Sequence, residues 1–389
     1  MISSDNPILI VSWSVYPSQV ASSVLIHNIA KELENNVVVV GEKTKEEDDW
    51  DVVNYPLYHI DPFPFKFKKG RNIFKWMTFY KSLKTIDEIV KKHNCSTVLC
   101  PFPDEYYMNL AMHLAVENNF NFYPWFHNTY LENRTGIRRW LAKRLQSRFF
   151  TKAKKVFSIS QGLTEYYRST YPTLHVETLQ HGFKIPEIEY QDFNIDLNRP
   201  VKFAYSGTLS ESCLDAAVRL AEVLTKNPTF ELHVFGKRNV RMFCDHGIPK
   251  DKMVVYGFLE EEEFNKALNA CDIMLLPHGF TGGRSEVEYQ TIFPTRTIPM
   301  LYSNRPILLH SPKNVFLTEY LEQKNAAFSI TTKDNVEIEA MILKFLKDKG
   351  KQRQIVQNAI KLAGDYKIEE IVEKIEKEMG QKEVAKELN

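Results

Sequence analysis

Short, largely apolar runs alternate with stretches of helical periodicity almost from the start of this chain. Ile8–Val11 predicts a first strand, and Ser22–Leu33 follows with apolar residues at helical spacing. Val37–Val40, Thr97–Cys100, Phe122–Phe126 and Val156–Ser160 predict further buried strands. A second series opens at Val201–Tyr205 and runs through Glu231–Phe235, Met253–Tyr256, Ile273–Leu276 and Ile307–Leu309. Helical segments such as Cys213–Leu224 and Glu261–Ala270 lie between these runs. A strand covered on both faces needs no polar alternation, so apolar runs divided by helices imply parallel sheets. Two such series imply an α/β protein of two doubly wound, Rossmann-like domains.

The polar, proline-containing stretch 183–200 has weak periodicity and reads as a linker. It separates a first domain over 1–182 from a second over 201–365. The charged, helical end of the chain carries no strand signal. It caps the second domain, and its last part, 366–389, is free to return to the first. Ligands of open parallel sheets bind at the carboxyl ends of strands. The cleft between two such domains is therefore the expected site.

Length and composition agree with this frame. A chain of 389 residues is long for one core. A hydrophobic fraction of 43% with 25% charge argues against disorder. The net charge of +1 does not suggest a general nucleic-acid binder and leaves any basic surface local. The cysteines Cys95, Cys100, Cys213, Cys244 and Cys271 are odd in number and scattered, without a Cys-x-x-Cys pair. They read as reduced, mostly packed thiols rather than a disulfide or zinc framework. The opening residues MISSDNPILIV lack the basic start and long apolar run of a signal peptide. No run approaches the roughly 20 apolar residues that span a bilayer. A cytoplasmic protein is expected.

The candidate chemistry clusters at strand ends of the second series. Gly207 and Thr208 follow the first strand, Gly236 and Lys237 the next, and Gly257 and Phe258 the third. The loop after Ile273–Leu276 carries Thr281, Gly282, Gly283 and Arg284, with Glu286 and Glu288 beyond. Phe293–Leu309, reading FPTRTIPMLYSNRPILL, then sets a proline turn, Thr295, the cation Arg296 and a short helix before the next strand. Backbone N–H groups freed by glycines, with the positive end of a helix, make an anion site. Two consecutive strand–loop–helix units, each opening on an arginine, predict a pocket for a phosphorylated small molecule.

Phe293–Leu309 resembles the donor-binding signature of family 4-like nucleotide-sugar glycosyltransferases, which have the GT-B fold. The resemblance implies that Gly207 faces a diphosphate, that Gly236 follows its strand as in the family, and that Gly257-Phe258 holds the base. It places Arg296 at the position of the signature lysine. In the first domain it places His127 where a histidine contacts the donor sugar, and matches Ser160 and His181-Gly182 to further family positions. It implies a retaining transfer with no metal or other cofactor. Several positions depart from the pattern. The basic pair expected after Gly207 reads Thr208, Ser210, Glu211, Ser212 and Cys213. Pro299 stands where a glutamate is usual, and Trp13–Ser23 lacks the family's glycine pair. Arg284 and Arg296, with Lys237, are left to neutralise the diphosphate; arginine suits this because its planar fork holds phosphate oxygens bidentately.

One segment stands apart. Arg138–Lys155 carries eight cations and no acid, with Leu141, Leu145 and Phe149 on one helical stripe. Arg144, Arg148, Lys152 and Lys155 form another, and Phe63–Lys84 nearby mixes aromatics with lysines. A basic amphipathic helix rests on anionic headgroups or simply presents a solvated face. The expectation is a glycosyltransferase moving a sugar from a nucleoside diphosphate sugar to a saccharide or lipid-linked acceptor, in cell-surface polysaccharide or glycoconjugate synthesis. Peripheral contact with the inner face of the cell membrane goes with it. The alternatives are another nucleotide-sugar enzyme on the same fold, and a catalytically weak GT-B protein that binds a glycan or partner.

Overall fold

The computed structural model describes residues 6–18, 20–43, 52–63, 74–257, 259–281 and 283–379. Phe258 and Gly282 lie outside the described residues, as do 64–73 of the aromatic, lysine-rich stretch and 380–389 of the tail. The chain divides into two compact units, Met1–Lys184 with Tyr366–Asn389, and Ile185–Asp365.

The first unit is built on seven parallel strands: β1 (Ile8–Ser12), β2 (Val37–Glu42), β3 (Leu57–Ile60), β4 (Thr97–Phe102), β5 (Asn121–Phe126), β6 (Val156–Ser158) and β7 (Val176–Thr178). Their order is β3-β2-β1-β4-β5-β6-β7. Alternation within β1 explains its unbroken apolar run. Leu9 and Val11 face a core with Leu83, Ile86, Leu110 and Leu114. Ile8 and Ile10 face the other side, with Ile26 and Ile29 from the helix Ala21–Leu33 and Ile368, Ile371 and Ile375 from the helix Ile368–Met379. That last helix is also held by polar contacts: the Tyr123 hydroxyl donates to the Glu378 carbonyl at 3.1 Å, and Lys155 pairs with both Glu177 and Glu378.

The second unit holds six parallel strands: β8 (Val201–Tyr205), β9 (Phe230–Phe235), β10 (Met253–Tyr256), β11 (Ile273–Pro277), β12 (Ile307–His310) and β13 (Phe328–Ile330). Their order is β10-β9-β8-β11-β12-β13. Within 185–200, Ile195 is buried in this unit's core, and Asn304 bonds the backbone at Gln191 and Glu189. Both units are therefore α/β with parallel sheets, as the alternating pattern predicts.

Three strands carry no clear signal in the sequence. β3, β7 and β13 are sheet edges of three or four residues, with polar or half-exposed positions such as His59, Glu177 and Ser329. The predicted strand Val156–Ser160 stops at Ser158, because Ser160 caps the helix Gln161–Thr170 and its hydroxyl accepts from the Leu163 N–H at 3.1 Å.

Candidate nucleotide-sugar site

In the second sheet the strands succeed one another outward from β8 on one side and from β11 on the other. The crevice between the carboxyl ends of β8 and β11 is thus a topological switch point, where ligands of open α/β sheets bind. Because every strand is parallel, the turns after β8, β9, β10 and β11 all lie on this edge, bringing together Gly207, Gly236, Gly257 and the loop residues 278–281.

Arg296 closes the floor of the crevice. It precedes the five-residue helix Thr297–Leu301. Its Nη1 donates to the Tyr205 hydroxyl at 2.9 Å and to the Thr208 carbonyl at 3.1 Å, and Nη2 donates to the Pro277 carbonyl at 2.8 Å. One guanidinium therefore ties the end of β8 to the end of β11. Its aliphatic stem lies on Gly207, where φ is +83° and a Cβ would come within 3.2 Å of the Arg296 Cβ and Cδ. The backbone angle favours glycine there, and any side chain would have to push the Arg296 stem aside. Burial works against the charge on Arg296, but Tyr205 and Cys213 more than offset it and hold its pKa above the ordinary arginine value. The resemblance assigns Arg296 to the diphosphate; the structure shows Nη1 and Nη2 engaged with protein acceptors.

Asn239 shapes the same turn and was not singled out in the sequence. Its Oδ1 accepts from the Leu209 N–H at 2.9 Å, and its Nδ2 donates to the Gly207 and Phe235 carbonyls, each at 2.7 Å. It sits in the first turn of the helix Lys237–Asp245, so its spacing from Gly236 was the available signal. Lys237 is exposed at the start of this helix, and its Cε lies near Gly257.

The loop after β11 is pinned by the helix Leu214–Lys226. The Gly279 N–H donates to the Ser212 carbonyl at 2.8 Å, and the Phe280 N–H donates to the Asp215 carboxylate. A Cβ on Gly279 would meet Ser212 O at 2.8 Å and Asp215 Oδ1 at 2.9 Å, so no side chain fits. Glu211 lies against Gly283. The cavity beyond, of about 590 Å³, is lined by Phe280, Arg284, Glu286, Tyr289 and Lys313. Arg284 and Lys313 are exposed and form no ion pair among the described residues, so two unpaired cations border one cavity, with the Glu286 carboxylate also on its wall. Lys313 was missed in the sequence because it follows the last predicted strand. Glu286 is exposed and accepts from Gln290, whereas Glu288 is buried in the same short helix. Thr295 serves the turn before Arg296, its carbonyl accepting from the Ile298 N–H at 3.2 Å.

In the first unit, His127 follows β5 and is buried, its ring 4.3 Å from that of Trp125 and 5.3 Å from that of His181. Burial pushes the His127 pKa down to about 3 and that of His181 well below the ordinary range. Both imidazoles are neutral near pH 7. Among the described residues no group of three His, Cys, Asp or Glu side chains is arranged to hold a metal ion.

Solved structures superpose on almost the whole chain. Sucrose-phosphate synthase from Thermosynechococcus elongatus matches with a TM-score of 0.72 at 12% identity, over 96% of this chain and 98% of that one. The fold is GT-B. Anabaena HepE, solved in complex with UDP and glucose, gives a TM-score of 0.68 at 17% identity, over 96% and 99% of the two chains. A glycosyltransferase from Rickettsia africae gives 0.67 at 14% identity, over 96% and 98%. No protein-family model matches the chain, and no curated protein does. At these identities the likeness to GT-B structures is one of fold, and activity has to be argued from the site.

The basic segment differs in detail from its sequence reading. The helix is Gly136–Lys152, with Ala142, Gln146 and Phe149 buried. Leu141 faces solvent, and Leu145 is half-buried. Lys155 lies beyond the helix in its pairs with Glu177 and Glu378, so it leaves the basic stripe. Among the described residues no helix is long and apolar enough to cross a membrane.

Proposed function

We propose that this protein is a glycosyltransferase that moves a sugar from a nucleoside diphosphate sugar to a saccharide or lipid-linked acceptor. The observation that carries this reading is the cavity beside the switch point, where Arg284 and Lys313 have no ion-pair partner among the described residues. A diphosphate needs such cations, and the glycine turn at Gly207 leaves room for its oxygens to approach main chain. The GT-B fold supports the reading, and HepE has been solved with UDP-glucose as well as with UDP and glucose.

In this scheme the second unit holds the donor, with Gly236, Lys237 and Gly257 toward the nucleotide and Arg284 and Lys313 on the diphosphate. Arg296 shapes the crevice and adds positive potential from its floor. Preorganised cations stabilise the negative charge that develops as the diphosphate leaves. His127 is the proposed sugar-side group of the first unit; as a neutral imidazole it exchanges a hydrogen bond with a sugar hydroxyl rather than a full charge. The scheme is retaining and calls for no metal. The protein acts in cell-surface polysaccharide or glycoconjugate synthesis, in the cytoplasm, with the helix Gly136–Lys152 against an anionic membrane.

One feature favours a second reading, a weak or inactive binding module: Glu211 lies at the glycine loop where the resemblance leads one to expect a cation. Calorimetric titration separates the two. The wild-type protein should bind UDP or GDP more tightly than the matching monophosphate. Arg284→Ala should weaken the diphosphate about tenfold, the worth of one charge-assisted hydrogen bond. Absence of any nucleotide binding would leave only the binding module.

A further inference from the structure

A second cavity, of about 640 Å³, lies wholly within the first unit, beside the end of β4. Its lining includes Lys75, Trp76, Tyr130, Arg134, Arg138 and Leu141. Two carboxylates also border it, and both are already engaged. Asp104 pairs with Lys75 at 2.6 Å while its other oxygen caps the helix Glu105–Asn118. Glu105 pairs with Arg134 at 2.9 Å. Arg138 is exposed and makes no ion pair among the described residues. The cavity therefore offers one uncompensated guanidinium, with the remaining N–H groups of Arg134 beside it.

Its rim is apolar. Trp76 is 42% exposed and Leu141 48%, and next to them Met77, Ile137 and Trp140 are exposed as well. Trp76 stacks on Phe79 and meets Tyr106 edge-on, and what it and Leu141 leave exposed is apolar surface at the mouth of a cationic cavity. A ligand that matches both features carries an anion for Arg138 and Arg134 and hydrocarbon for the rim.

We propose that this cavity binds a phosphate-bearing amphiphile, so that the acceptor of the transfer is a lipid-linked phosphosugar. The inference rests on the glycosyltransferase reading and narrows its acceptor to one chemical class. The phosphate sits on Arg138 and Arg134, the exposed part of Trp76 meets a sugar ring, and the chain leaves over Leu141 and Trp140.

The test is calorimetric titration of the full chain with short-chain, monomeric dihexanoyl phosphatidic acid, with the phosphatidylcholine analogue and inorganic phosphate as separate arms. Phosphatidic acid should bind at least about tenfold more tightly than either. Arg138→Gln and Trp76→Ala should each weaken it about tenfold, through a lost charged contact and lost apolar burial respectively. Equal binding of phosphatidylcholine, equal binding of inorganic phosphate, or no effect of Arg138→Gln would overturn the proposal. Arg138 is exposed and pairs with no acid among the described residues, so that variant stays informative, and melting curves check Trp76→Ala. UDP titration of the same protein separates the two readings. UDP binding without phosphatidic acid binding overturns the acceptor inference alone. Phosphatidic acid binding without UDP binding upholds the cavity and overturns the donor reading.

Discussion

At the scale of single residues, Arg296 shows how one side chain serves two ends. Its three hydrogen bonds join the Gly207 turn to the end of β11, and its stem needs the space that Gly207 leaves. Removing it strips a charged donor from two backbone carbonyls and a buried tyrosine hydroxyl. Arg296→Ala should therefore cost stability as well as donor affinity, by about 3 kcal/mol, given the usual worth of hydrogen bonds to a charged group. Urea unfolding followed by circular dichroism measures this. A variant that loses nucleotide affinity at unchanged stability would mean that the guanidinium works on the ligand alone.

At the scale of elements, the helix Gly136–Lys152 is the least committed part of the first unit. Only Ala142, Gln146 and Phe149 are buried, and its outer surface carries Arg144, Arg148 and Lys152, with Arg144 stacked on Trp140 at 4.8 Å. Each cation near an anionic membrane is worth about 1 kcal/mol. Replacing these three by glutamine should thus lower binding to phosphatidylserine vesicles on the order of a hundredfold. High salt should have the same effect on the wild-type protein, since the attraction is screened over roughly a Debye length. Co-sedimentation at low and high salt reads both. Wild-type protein that stays in the supernatant at low salt would mark the helix as a solvated face.

At the scale of the whole molecule, acid should unfold the protein earlier than its charge balance suggests. Burial holds His127 at about 3, His278 and His310 at about 4, and His181 well below the usual value. In the unfolded chain these imidazoles titrate near 6.5. The unfolded state binds more protons below that value, so stability is fully present above about pH 6.5 and is lost as pH falls toward the folded values. The ceiling is about 1.4 kcal/mol per histidine per pH unit. Thermal melts from pH 7.5 to 5 should fall steadily, and His310→Asn should flatten the slope. A melting temperature independent of pH over this range would mean that the histidines protonate without unfolding.

Burial on both faces is written locally as a largely apolar run, so β1, β2, β4, β5, β6, β8, β9, β10, β11 and β12 were legible in the sequence alone, and with them the doubly wound α/β class. The glycine turns after β8, β9 and β10 were legible for the same reason, since each follows its strand directly. Edge strands β3, β7 and β13 were not, because their three or four residues include polar positions such as His59, Glu177 and Ser329, whereas the edge strand β10 keeps the apolar run MVVY. The partners of the chemical groups were decided only by the tertiary structure. Arg296 meets Tyr205 across 91 positions of chain, Asn239 reaches Gly207 across 32, and Lys155 finds Glu378 across 223. Arg284 and Lys313 become neighbours of one cavity only because β11 and β12 pair side by side. A sequence specifies which segments must be buried; which charges are then left over, free to hold a ligand, depends on what the fold sets beside them.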